Sequence, residues 1–178
     1  LSNRDFKLNS PYGTIVDLAV SSTISGTYSL SATVFDDEAS TTISSGSAPY
    51  MGSFQPDGSL SDFDQESMTG TWQLWVYSST NSTAYNLSIT SWSITVEYNS
   101  TTPSDPPTTS GTTYTGSSFD SEGAGVTTSD LVISDAGTIL DINVELNATG
   151  QYTDALSNRD FKLISPYGTI VDLAVSST

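Results

Sequence analysis

Residues 137–150 read GTILDINVELNATG, and the middle of this stretch decides the fold class: Leu140, Ile142, Val144 and Leu146 alternate with Asp141, Asn143 and Glu145. A period of two sends successive side chains to opposite faces, so the segment is a strand with one apolar and one polar side. The same period returns at Trp72, Leu74 and Val76 around Gln73 and Trp75, and at Trp92, Ile94 and Val96 around Ser93 and Thr95. It returns again at Phe161 and Leu163 around Lys162. Strands that bury one face and wet the other belong to antiparallel sheets. No segment has helical spacing, and clusters of Gly, Pro, Ser and Asn punctuate the strands. The expectation is an all-β chain, an antiparallel jelly-roll β-sandwich of about eight strands with no significant helix.

Beyond that strand the chain repeats itself. Residues 156–178, LSNRDFKLISPYGTIVDLAVSST, restate residues 1–23 with one change, Asn9 against Ile164. The offset, 155 residues, is the length of a whole domain with its linker rather than of a small solenoid unit. Between the copies, residues 99–111 (NSTTPSDPPTTSG) hold no apolar side chain beyond their prolines, which suits an extended linker. The expected organisation is 1–98 as the C-terminal part of one domain, 99–111 as linker, and 112–178 as the N-terminal part of the next. The Asn9/Ile164 difference falls on the outward phase of its strand, where drift between natural repeats is tolerated.

A segment 1–98 without the strands of 112–155 leaves a sheet edge and a core open. Residues 112–178 fill that gap, within one molecule or in a neighbour. Phe6, Leu8, Phe161 and Leu163, with Leu140, Ile142 and Val144, are the side chains expected to join the parts. Filling the gap in trans is β-strand complementation, in which ladder hydrogen bonds and inward side chains hold the subunits together. Repeated head to tail without closure, such a contact makes a fibre. Copies 1–23 and 156–178 compete for one slot.

Composition removes several function classes. The 178 residues include no His and no Cys, so no Ser-His-Asp or Cys-His nucleophile can be assembled from this chain, and thiolate and imidazole metal sites fall with it. The chain is not expected to be an enzyme. Twenty acidic residues stand against four basic ones, a net charge of −16. That balance disfavours nucleic acid and anionic membranes as partners. No run approaches the roughly 18 apolar residues of a membrane span. The sequons at Asn81, Asn86, Asn99 and Asn147 and the Ser/Thr-rich texture point to an extracellular or cell-surface setting.

Several motifs together resemble the P domain found beside kexin- and furin-like proteases, read in permuted order. These are VFDDEA (34–39), APYMGSFQP (48–56) followed by Leu60 and Phe63, GTWQL (70–74), Leu87 with SWSI (91–94), and the strand 137–154 leading into LISPYGT (163–169). The resemblance implies an eight-stranded jelly roll, often calcium-stabilised and without catalytic residues of its own. It departs from the family at Asn158-Arg159, where Asp-Leu is common.

Hard oxygen ligands suit Ca2+. The expected metal ligands are Asp36, Asp37 and Glu38 with Asp154, Asn158 and Asp160. The acids of DGSLSDFDQE (57–66) lack the order of an EF-hand loop and are expected to form a solvated loop. Trp75 and Tyr77 lie on the phase opposite Trp72 and are expected to be exposed aromatic contacts. The leading reading is a structural or adhesive repeat that assembles with copies of itself. An accessory P domain of a secreted protease and a carbohydrate-binding module with a cell-surface or glycan ligand are the alternatives.

Overall fold

Strands form where the alternation is strongest. The computed structural model describes residues 29–47, 49–78, 87–100, 109–122, 124–150 and 159–174, with 77, 78 and 159–161 described by backbone alone. Among them run β1 (Ser29–Phe35), β2 (Gly52–Phe54), β3 (Gly70–Ser78), β4 (Leu87–Ser100) and β5 (Thr109–Gly116). There follow β6 (Phe119–Ser121), β7 (Gly125–Ile133), β8 (Gly137–Gly150), β9 (Arg159–Ile164) and β10 (Ile170–Ala174). The helical turns among the described residues are two short 3-10 turns, Ile43–Ser45 and Leu60–Phe63.

Two sheets pack as a sandwich. One has the order β2-β1-β8-β4-β5, with β6 also paired to β4, and the other the order β10-β9-β3-β7. The all-β sandwich expected from the periodicity is therefore present. One pair, β1 with β2, is parallel, a departure from the wholly antiparallel expectation. The segments on either side of residues 101–108 share both sheets: β8 lies between β1 and β4, and β9 and β7 flank β3. The ends of the sequence-predicted linker belong to the sheet, since Asn99 pairs with Thr109 and Glu97 with Gly111.

The inward phase forms one core. Trp72, Leu74 and Val76 of β3 meet Trp92, Ile94 and Val96 of β4 and Ile142, Val144 and Leu146 of β8, all essentially without exposure. Trp72 sets its ring edge-on to Phe63 at 5.2 Å and donates Nε1–H to the Met68 carbonyl at 3.0 Å. Trp92 donates Nε1–H across the sandwich to Ser129 Oγ at 3.1 Å. Both indoles thus bury their area with the polar edge satisfied. A Cβ at position 116 would fall 2.0 Å from the Trp92 ring, so only glycine fits there.

Leu140 departs from its expected place. Tyr98 pairs with Ile139 and Glu97 with Asp141, so Leu140 is the extra residue of a β-bulge and is only half-buried. Ile139 takes the inward position with no exposure. The bulge reverses the phase ahead of Asp141, which simple alternation does not reveal.

Candidate functional site

The C-terminal copy of the repeated segment occupies one well-defined slot. Its first strand, β9, lies between β3 and β10, with Leu163 opposite Leu74 and Val171 on the inner face and Lys162 opposite Trp75 and Asp172 on the outer face. Leu163 is fully buried. The backbone of Phe161 pairs with Val76, while its side chain and all of Phe6 and Leu8 lie outside the described residues. Ile142 and Val144 are core residues laddered to Val96 and Ile94 of β4.

Polar side chains hold the hairpin together and tie it to its surroundings, beside the apolar ones. Lys162 Nζ donates to Asp172 Oδ1 at 2.5 Å, with the two side chains 1% and 7% exposed. A buried pair of this kind is costly to break, because the surviving charge is left without compensation. The turn joining β9 to β10, Ser165–Thr169, is held by Glu66, which accepts a hydrogen bond from Ser165 Oγ at 2.6 Å and a second from Thr169 Oγ1. Pro166 sits over Gly70, whose φ is +132° and where a Cβ would come within 2.4 Å of the Pro166 ring. Gly58 N–H donates to the Asp172 carbonyl at 2.9 Å and covers part of the β10 edge. Glu66 and Gly58 lie in DGSLSDFDQE, which is therefore more than a solvated loop; its Leu60 and Phe63 are core residues.

The polar and glycine contacts just described join walls in 58–78 to docking groups in 162–172. The N-terminal copy repeats the docking groups as Lys7, Ser10, Pro11, Thr14 and Asp17. Sequence reading passed over the Lys162–Asp172 pair, although the confinement of all four basic residues to the two copies was its visible trace. Glu66 left no such trace, because its partners are 99 and 103 residues away.

The acidic stretch after β1 has a structural task. Asp37 accepts from Leu60 N–H at 3.0 Å through Oδ1, and from Ser59 Oγ and Ser61 N–H, both at 2.9 Å, through Oδ2, fastening the start of the 60–63 turn. Asp36 Oδ1 accepts from the Glu38 N–H at 2.8 Å. The Glu38 carboxyl is pushed up chiefly by its hydrogen bond with Asp36. Burial and then the Asp37 charge push up Asp62 and Asp64, and Asp141 is raised by burial and by the charges of Glu97, Asp36 and Asp64. This end of the sandwich gathers negative charge. Among the described residues no three carboxylates form a metal-holding group. Among the described members of the expected set, Asp36 and Asp37 fasten the local turns. Asp154, Asn158 and the side chain of Asp160 lie outside the described residues, the backbone of Asp160 being opposite Tyr77 in the other sheet.

Trp75 lies on the outer face between Lys162 and Thr128 and is half-buried; the Tyr77 side chain lies outside the described residues. A shallow pocket of about 170 Å³ is lined by Ser91, Ser93, Thr115, Glu145 and Asn147 beside Trp92. Asn147 is engaged in the sheet: Oδ1 accepts from Ala32 N–H at 2.7 Å, and Nδ2 donates to Ser91 and Glu145. It thereby supports Ala32, a bulge residue at φ +46°, and its amide is committed where a glycan would attach. No described helix is long and apolar enough to cross a membrane. No protein-family model matches the chain, and neither a curated protein nor a solved structure matches it.

Proposed function

We propose that the chain is a non-catalytic structural or adhesive module of a repetitive secreted or cell-surface protein, joined to copies of itself by strand complementation. One observation carries this reading: the closing hairpin β9–β10 is supplied by a sequence present twice, while the slot that receives it is present once. The strands β7 to β10 of one chain, placed on β1 to β4 of the next, repeat the same contacts head to tail and generate an open fibre. The missing His and Cys and the motifs shared with P domains support a non-catalytic part.

Calcium enters as a separate proposal, resting on the oxygen chemistry of Asp36, Asp37, Glu38, Asp154, Asn158 and Asp160. Light scattering with electron microscopy, in calcium and then in chelator, tests both. Filaments or concentration-dependent oligomers are expected, and a monodisperse monomer at every concentration removes the assembly. A lower Tm in chelator is expected of a calcium site, and an unchanged Tm removes it.

A further inference from the structure

The two copies of the docking segment differ at a single residue, and the structure puts that residue inside the slot. Ile164 ends β9 opposite Gln73 of β3 on one side and Ile170 of β10 on the other. Its phase is outward, as the alternation implies, yet it is only 5% exposed, and Ile170 is 2% exposed. The facing Gln73 already directs its Nε2–H to Asp130 Oδ1 at 2.8 Å. In the N-terminal copy the same position is Asn9. Docked in this register, residues 4–19 would repeat the Lys–Asp pair, the Ser and Thr hydrogen bonds to Glu66 and the Pro over Gly70. They would also bring a carboxamide to the place of a buried isoleucine, beside another isoleucine.

We infer that the slot is a strand-binding site that discriminates between the chain's two docking segments, holding 159–174 and excluding 4–19 through the Ile164/Asn9 position. This rests on the complementation reading and deepens it by naming the donor: the segment passed to a neighbour is the C-terminal copy. Burying an amide without a full set of partners, in place of an aliphatic side chain, favours the isoleucine copy by at least about tenfold. The rest of the recognition is shared and cancels between the copies.

The chain has no cysteine, so an introduced pair reports occupancy without background. Ser78 and Arg159 are the last register partners of β3 and β9, and Arg4 is the twin of Arg159. Register partners on adjacent strands come within disulfide reach. Two full-length variants, S78C/R159C and S78C/R4C, are oxidised mildly and the linked peptides are measured by mass spectrometry. The expected result is an efficient 78–159 link and a 78–4 link at least about tenfold weaker. Exchanging the two residues, Asn9→Ile together with Ile164→Asn, keeps the composition and is expected to invert the ratio. Equal linking by both copies, or a ratio indifferent to the exchange, overturns the inference. The ratio is read within monomers or between chains alike. A failure of fibre formation therefore leaves this test intact, and an indifferent ratio leaves the fibre reading standing.

Discussion

At the scale of single residues, the slot depends most on a charge pair that a strand would ordinarily avoid. Lys162 stands on the alternating strand between Phe161 and Leu163, where solvent is the normal destination of its ammonium group. Instead it is 1% exposed against Asp172. Removing the cation from both copies, by Lys162→Met with Lys7→Met, leaves the Asp172 carboxylate buried without it. A loss of about 3–5 kcal/mol is expected, while adding Asp172→Leu and Asp17→Leu recovers most of it. Urea unfolding of the full chain measures both steps, and a loss below about 1 kcal/mol in the first would show that the pair is solvated in practice. Both copies must be altered, because Lys7 would otherwise offer a substitute.

At the scale of elements, the carboxylates around the 60–63 turn and the start of β8 make folding depend on acidity. Asp62, Asp64 and Asp141 are all held above the ordinary value of 3.8 in the folded chain. The folded state therefore binds protons at a pH where the unfolded chain has already lost them. The resulting stabilisation is fully present below 3.8 and is lost as pH rises through the raised values, so these groups favour the folded state on mild acidification from neutrality. Denaturation midpoints taken stepwise downward from pH 7 should rise at first, and the variant D62N/D64N/D141N should show a flatter rise. Identical slopes for the two proteins would remove these three groups as the cause. The same elements show what periodicity reveals and what it hides. From Ile142 to Leu146 the alternation survives intact and the strand was legible. At Leu140 a bulge reverses the phase, and at β10 all five residues, Ile170 to Ala174, are buried, so no period is left to read. β5, TSGTTYTG, is an edge strand whose residues are all exposed or half-buried, and its polar composition resembles a linker more than a strand. The walls of the slot were illegible for another reason: Glu66, Gly70 and Gly58 acquire their tasks only from partners brought by the tertiary fold.

At the scale of the whole molecule, charge and docking are divided between different parts of the chain. Each copy carries two basic and two acidic residues, so the full net charge of −16 lies on residues 24–155, which hold no basic residue at all. Two such bodies repel one another on approach, and the segment that joins them is neutral overall. This opposes the usual arrangement in which acidic and basic faces of neighbouring subunits attract and salt dissolves the assembly. Here Lys162, the one cation whose side chain is described, is already paired within its own hairpin, and the described contacts with β3 are the antiparallel ladder and the apolar pair Leu163–Leu74, which salt does not weaken. The Debye length falls from about 30 Å at 0.01 M to about 8 Å at physiological ionic strength, so the repulsion is long-ranged in the first case and nearly local in the second. Salt should therefore promote assembly. Sedimentation velocity after long incubation, since exchange of β7 to β10 requires the sandwich to open, should show the oligomer fraction growing as sodium chloride is raised across that range. A fraction that shrinks with salt would mean that the chains are held by ion pairs between their surfaces, and would remove strand complementation as the force that joins them.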